Sequence, residues 1–379
     1  MTNSQPTLHV IAPFHTIVSK EFSHCAFTGK ALRFAKMMQP FGYRVVEYSN
    51  PGSQSLANVK VPVLNTEEFH RFFKPEHSSP GAQANVNSEG YRVFNSRLPE
   101  LLKSHAMPGD IVCQTFGPAC HPDIVKQFTK LIHVESGIGY PVTPFGCHQI
   151  FESEAWRHYQ WGRFGTPGGV LPESITGVRT FIAPNYFDVQ DWPVAQVAQT
   201  DPPYVVFMGR FVVDKGIEML ARIVKTWAQI HPESPMRFVF AGMGDFWGWC
   251  ARHQFNERER SLIDYRGVVI GDERGKLLSG ATAMLMPTIF VEPFGGSGVE
   301  AQLCGVPLIA PTFGAFTETT EPYLRCESVD DYCAAIVRCQ NHSLSSRRII
   351  REKTDIQYSL EAVGNTYDKI FRSLASATP

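Results

Sequence analysis

The sequence predicts an α/β fold of two doubly wound, Rossmann-like domains facing an interdomain cleft. Three observations carry the expectation. Short apolar runs alternate with amphipathic stretches along the chain, the pattern of strands and helices in parallel layers. The chain has 379 residues, and at roughly 150 residues per domain the expected count is two. A Pro-, Asp- and Gln-rich joint, Asp188–Pro203, interrupts the alternation near the middle. Ligands in such sheets sit outside the carboxyl ends of the strands, which makes the cleft the default site.

The elements follow in order. Leu8–Pro13 reads as a buried first strand, Cys25–Gln39 as a helix with its apolar stripe at Phe27, Leu32, Ala35 and Met38, and Arg44–Tyr48 as the second strand. Residues 50–95 are rich in Ser, Asn, Pro and Gly and read as a long irregular segment. Asp110–Thr115, Leu131–Val134 and Phe181–Pro184 are further strands, with Ser136-Gly137 as a loop after the second of these. Phe151–Gly162 reads as an amphipathic helix with Trp156 and Tyr159 in the core. Beyond the joint, strands are expected at Tyr204–Met208, Arg237–Gly242, Tyr265–Ile270, Ala283–Pro287 and Pro307–Ala310. Helices are expected near Gly216–Gln229, Arg274–Gly280 and Gly298–Cys304. Residues 1–190 are thus assigned to the first domain and 191–355 to the second.

Composition narrows the function. With 35 Lys and Arg against 36 Asp and Glu the net charge is −1, which excludes a whole-protein attraction to nucleic acid or anionic membrane. No apolar run is long enough to span a bilayer, and the polar start of the chain does not resemble a secretory signal. Nine cysteines with no C-x-x-C pair fit reduced thiols and a cytoplasmic location. Cys113, Cys120, His121, Cys147 and His148 form the nearest approach to a metal-ligand pattern, and buried thiols are the preferred reading. Ten of the 13 histidines fall in residues 1–200.

Two segments carry chemistry. In Phe207–Gly216 a strand ends, Gly209 lets the backbone turn, and Arg210 and Lys215 follow before a helix opens. An arginine fork and a lysine point charge at this spacing suit a phosphate. In Val291–Pro307, Glu292 precedes a turn of Phe294, Gly295 and Gly296 that leads into a helix carrying Glu300. Glycines free backbone N–H groups at a helix start for an anion. Glu292 lies before that turn and is expected to be solvated or bound to hydroxyls. Gly296–Ala301 matches a dinucleotide fingerprint, but it sits in the last third of the chain and not at the first βαβ unit of its domain.

Together these segments resemble the nucleotide-sugar half of retaining GT-B glycosyltransferases, the family-4-like group of glycosyl transferases group 1. The phosphate motif stands here as Gly209-Arg210-Phe-Val-Val-Asp-Lys215-Gly216 and the second motif as Glu292-Pro-Phe-Gly-Gly-Ser-Gly-Val-Glu300. Phe240–Asp245, Leu277–Pro287, Cys304–Pro307, Gly314 with Glu318, and Ala183–Asp188 are supporting matches. The resemblance implies a nucleoside diphosphate sugar as donor. Arg210 and Lys215 would neutralise its diphosphate, Glu292 and the Phe294–Gly296 backbone would hold the sugar hydroxyls, and Glu300 the ribose. It implies no metal or other cofactor, and the chain has no D-x-D carboxylate pair. It also implies a C-terminal helix, about 356–379, packed back on the first domain. The acceptor by family default is a saccharide or lipid-linked glycan, with a hydroxylated base in DNA as the minority option. A GT-B epimerase and a nucleotide-sugar-binding protein without turnover are the alternative readings.

Two places in the first half depart from the family. The loop after the first strand, Phe14–His24, lacks the usual glycines, and Glu135 stands where the family often has a histidine. Glu135 is either a group facing a sugar hydroxyl or acceptor, or a strand-end carboxylate. His15, His24 and His148 are the histidines nearest the expected cleft.

Overall fold

The computed structural model describes residues 5–22, 25–73, 85–117, 121–141, 147–164, 178–196 and 200–377. The chain divides into two compact units, Met1–Phe187 with Leu360–Pro379, and Asp188–Ser359.

The first unit is built on seven parallel strands: β1 (Leu8–Ile11), β2 (Val45–Ser49), β3 (Val59–Pro62), β4 (Ile111–Gln114), β5 (Ile132–Ile138), β6 (His148–Phe151) and β7 (Thr180–Ile182). Their order is β3-β2-β1-β4-β5-β6-β7, so the chain reverses direction across the sheet between β1 and β4. β1, β2, β4 and β5 are buried along their whole length, as expected for strands covered by helices on both faces. Helix Leu360–Ser376 packs on helix Ala26–Met38, where Tyr367 and Phe371 meet Phe34 at ring distances of 6.1 and 6.5 Å.

The second unit carries six parallel strands: β8 (Tyr204–Met208), β9 (Arg237–Ala241), β10 (Ile263–Tyr265), β11 (Ala283–Leu285), β12 (Leu308–Pro311) and β13 (Arg325–Cys326), in the order β10-β9-β8-β11-β12-β13. Helix Ile217–Ile230 covers one face with Leu220, Ile223, Val224 and Trp227. The reversal here falls between β8 and β11, the two strands that precede the phosphate-type and glycine-turn motifs. Both sheets therefore have the doubly wound order that the sequence predicts.

Four expectations are corrected. Residues 50–95 are not uniformly irregular: they hold β3, helix Thr66–Phe72 with an Asn65/Glu68 capping box, and the start of helix Glu89–Lys103. β5 does not stop at Val134 but runs to Ile138, with a bulge at Ser136–Ile138 where it pairs β6. Ser136-Gly137 is thus strand, and β6, which precedes helix Glu154–Phe164, was hidden by that helix's aromatic signal. β10 lies upstream of the apolar Val268–Ile270, which is largely exposed, because Tyr265 pairs with Phe240 and stacks on Phe246 at 4.0 Å. Finally, Trp156 is buried, but Tyr159 is exposed and stacks on its outer side at 5.1 Å.

Candidate functional site

The switch point of the second sheet gathers most of the predicted residues. β8 ends at Met208, and the Gly209 N–H donates to Ala241 O at 2.9 Å, tying the strand end to β9. The chain then makes one tight turn, Val213–Lys215, closed by Gly216 at φ +76°. A side chain at Gly216 would place its Cβ 1.8 Å from the Pro287 carbonyl oxygen, so glycine is required there. Three donors converge on the Asp214 carbonyl: Thr288 Oγ1 at 2.7 Å, Ile289 N at 3.1 Å and Phe290 N at 3.2 Å. The loop after β8 is thereby stapled to the loop after β11.

This staple aims Lys215. Its ammonium contacts Glu292 Oε1 and lies 5.6 Å from the centre of the Phe290 ring. Glu292 is buried, and its carbonyl accepts from Ala315 N at 3.1 Å. The expectation of a solvated Glu292 is therefore corrected: before any ligand arrives, its counter-ion is Lys215. Arg210, by contrast, is exposed and has no side-chain bond to the described residues. The two cations predicted to converge differ: Lys215 is neutralised by Glu292, and Arg210 faces solvent.

Gly295, at φ +79°, caps helix Gly296–Leu303, and a Cβ there would come within 2.8 Å of the Phe316 ring. The first helical bond runs from Gly298 N to Gly295 O, so the N–H groups of Gly296 and Ser297 have no acceptor within the helix. Phe294 is buried against Tyr358, ring centres 5.3 Å apart, and offers only its backbone. Between the two loops lies a small open hollow lined by Phe207, Met208, Gly209, Lys215, Met286, Thr288 and Ser297. One turn along the helix, Glu300 is gripped by Arg274, whose Nε donates to Oε2 at 2.8 Å and whose Nη2 reaches the same oxygen. Among the described residues no bond engages the other oxygen, Oε1.

Glu135 belongs to the first unit, in the interior of β5, and is not a strand-end cap. It is buried, accepts from Gln149 Nε2 at 3.2 Å and is hydrogen-bonded by Tyr140. Burial outweighs these donors and pushes its carboxyl up to about 7. In the same unit, Lys30 and Glu152 form a buried ion pair, and Lys30 Nζ also donates to Gly137 O at 2.7 Å.

Most histidines of the first half serve the fold. His9 bridges Tyr48 (3.0 Å) and Asp110 (3.1 Å), His121 meets Asn95 at 2.6 Å, and His133 bonds Phe128 O at 2.8 Å. His15 is buried beside Phe116, and His148 accepts from Arg179 N at 3.2 Å. His24 and Cys120 lie outside the described residues. Among the described residues, no three His, Cys, Asp or Glu side chains are grouped to hold a metal ion. Nor is any described helix long and apolar enough to cross a membrane.

Sequence reasoning missed Arg274, Thr288, Gln149 and the Lys30–Glu152 pair. Lys30 left a trace: it lies four residues before Phe34 on the buried stripe of its helix, where a lysine is out of pattern.

The whole chain has the fold of GT-B glycosyltransferases. AviGT4, a glycosyltransferase involved in avilamycin A biosynthesis, matches at a TM-score of 0.66 and 17% identity, over 98% of this chain and 99% of that one. Anabaena HepE, crystallised with UDP and glucose, matches at 0.64 and 13%, over 97% and 100%. Residues 202–342 match the family of glycosyl transferases group 1. An uncharacterized glycosyltransferase of Methanocaldococcus jannaschii is 30% identical over 197 residues, 50% of this chain. The match spans 48% of that relative's length.

Proposed function

We propose that the chain is a retaining glycosyltransferase that moves a sugar from a nucleoside diphosphate sugar to an acceptor hydroxyl. The observation that carries the reading is a hollow at a sheet switch point lined by Gly209, Lys215 and Ser297, with Glu292 in contact with the lysine and Gly295 capping the helix that carries Ser297. Each part answers a need of the reaction. The departing diphosphate is neutralised by Arg210, Lys215 and the free N–H groups of Gly296 and Ser297, preorganised donors that act where charge develops. Glu292 accepts hydrogen bonds from the sugar hydroxyls. Glu300 Oε1 takes a ribose hydroxyl while Arg274 holds Oε2. The anomeric C–O bond to the diphosphate breaks as the acceptor oxygen bonds on the same face, and the acceptor proton passes to the diphosphate oxygen. Glu135 is the acceptor-side candidate in the first unit, able to donate or accept because its carboxyl titrates near neutrality.

A uridine diphosphate hexose is the first donor to test, since HepE was crystallised with UDP and glucose. The acceptor is read as a saccharide or lipid-linked glycan. Steep loss of acceptor binding with rising salt would move the reading to modified DNA. The deciding experiment is thermal shift against UDP-, GDP-, ADP- and CMP-sugars. At a hundred times its dissociation constant the matched donor adds about 2.7 kcal/mol of stability. Arg210→Ala removes most of that shift; a full shift in this variant refutes the phosphate assignment.

A further inference from the structure

The site presents an unusual arrangement of charge. One cation, Arg210, is exposed and has no side-chain bond to the described residues. The other, Lys215, is already neutralised by Glu292, and the side chains of that pair are 21% and 8% exposed. The contact is no accident of two mobile surface chains. Lys215 rides on a turn whose Asp214 carbonyl takes three donors from Thr288–Phe290, and Gly216 seats that turn against Pro287. Glu292 follows on the same stapled segment and is fixed by Ala315 N. The backbone on both sides of the contact is thus anchored, and rotation of the two side chains is enough to separate their heads.

We propose that the Lys215–Glu292 pair makes the anion site conditional on the sugar. A bare diphosphate must take Lys215 away from Glu292 and leave a buried carboxylate without a counter-ion, an outcome that low-dielectric surroundings penalise. A diphosphate carrying a sugar brings hydroxyl donors to Glu292, so the carboxylate is compensated as the lysine turns to the phosphate. The same pair then weakens the hold on the nucleoside diphosphate product once its sugar has gone, which speeds release. This inference rests on the assignment of Lys215 to the phosphates and adds a role for Glu292 in the absence of sugar: it is a competitor for the lysine.

Inorganic pyrophosphate tests this without knowledge of the base or the sugar. Its affinity is measured by calorimetric titration at low salt for the full chain and for Glu292→Gln, Lys215→Ala and the double variant, with melting curves to confirm folding. Glu292→Gln keeps the shape and removes the charge; it is expected to bind pyrophosphate about tenfold more tightly, equivalent to about 1.4 kcal/mol. In the Lys215→Ala background the same change is expected to have no such effect. Should Glu292→Gln bind pyrophosphate no more tightly than the parent while Lys215→Ala still weakens binding, the conditional role is wrong and the phosphate assignment stands. Should Lys215→Ala leave pyrophosphate binding unchanged, the phosphate assignment itself fails. Glu292→Ala serves as the second charge-removing variant if the glutamine form does not fold.

Discussion

Each unit of the molecule contains a lysine–glutamate pair, and the two pairs teach different things. Lys30–Glu152 in the first unit is closed: the side chains are 3% and 6% exposed, and the ammonium has a further acceptor in Gly137 O. In the second unit Lys215, held by Glu292, lines an open hollow near helix N–H groups that have no acceptor within their own helix. The first pair has its hydrogen bonds met from within and braces β5 against β6. The second keeps its lysine at the wall of an open hollow. On the function proposed above, identical chemistry is structural in one place and binds ligand in the other because of what surrounds it.

The comparison breaks first at Glu152. Glu152→Ala strands a buried ammonium and is expected to cost about 3–5 kcal/mol of folding stability, read from urea unfolding; a loss under about 1 kcal/mol would show that the closed pair is no brace. The mirror experiment is Lys215→Ala. It should raise the barrier to sugar transfer by about 3 kcal/mol, a loss of roughly a hundredfold or more in kcat/KM, while it costs less folding stability than Glu152→Ala, because the Lys215 side chain is 21% exposed against 3% for Lys30. Equal damage to stability and turnover in that variant would erase the distinction between the pairs.

A pH dependence sharpens the first unit alone. With its carboxyl raised to about 7, Glu135 keeps its proton in the folded chain at pH values where the unfolded chain, at about 4.5, has lost it. The folded state binds more protons across that window, so stability falls as pH rises from about 4.5 to 7, by up to about 1.4 kcal/mol per pH unit. Glu135→Gln should flatten that slope in unfolding experiments run from pH 4.5 to 7.5. The same slope in both proteins would mean that Glu135 is not held neutral by burial.

The two units also differ in how far their sequences could be read. In the second, runs such as Tyr204–Met208 and Leu308–Pro311 are uninterrupted and apolar, and the motif glycines mark the turns, so the central strands and the candidate residues beside them were legible together, while the edge strands β10 and β13, three and two residues long, were not. What escaped there was state: nothing in the spacing of Lys215 and Glu292 says that they touch, because the contact depends on three donors meeting at Asp214 O. Arg274 was equally silent, since a charged residue in the first turn of a helix has an ordinary solvent-facing explanation. In the first unit the signals conflicted. Val59–Pro62 and His148–Phe151 are four-residue strands beside polar or aromatic segments that outweighed them. Glu135 looked like a strand terminus because glycine followed, yet a bulge lets β5 continue through it.

The triple staple at the Asp214 carbonyl bears on how donor preference could be engineered. Because residues 209–216 and 287–292 are locked by main-chain bonds and by a glycine with no room for a methyl group, grafting either stretch alone from another enzyme would misalign the lysine against the carboxylate. The two stretches form one cassette, to be transplanted as a unit or left in place.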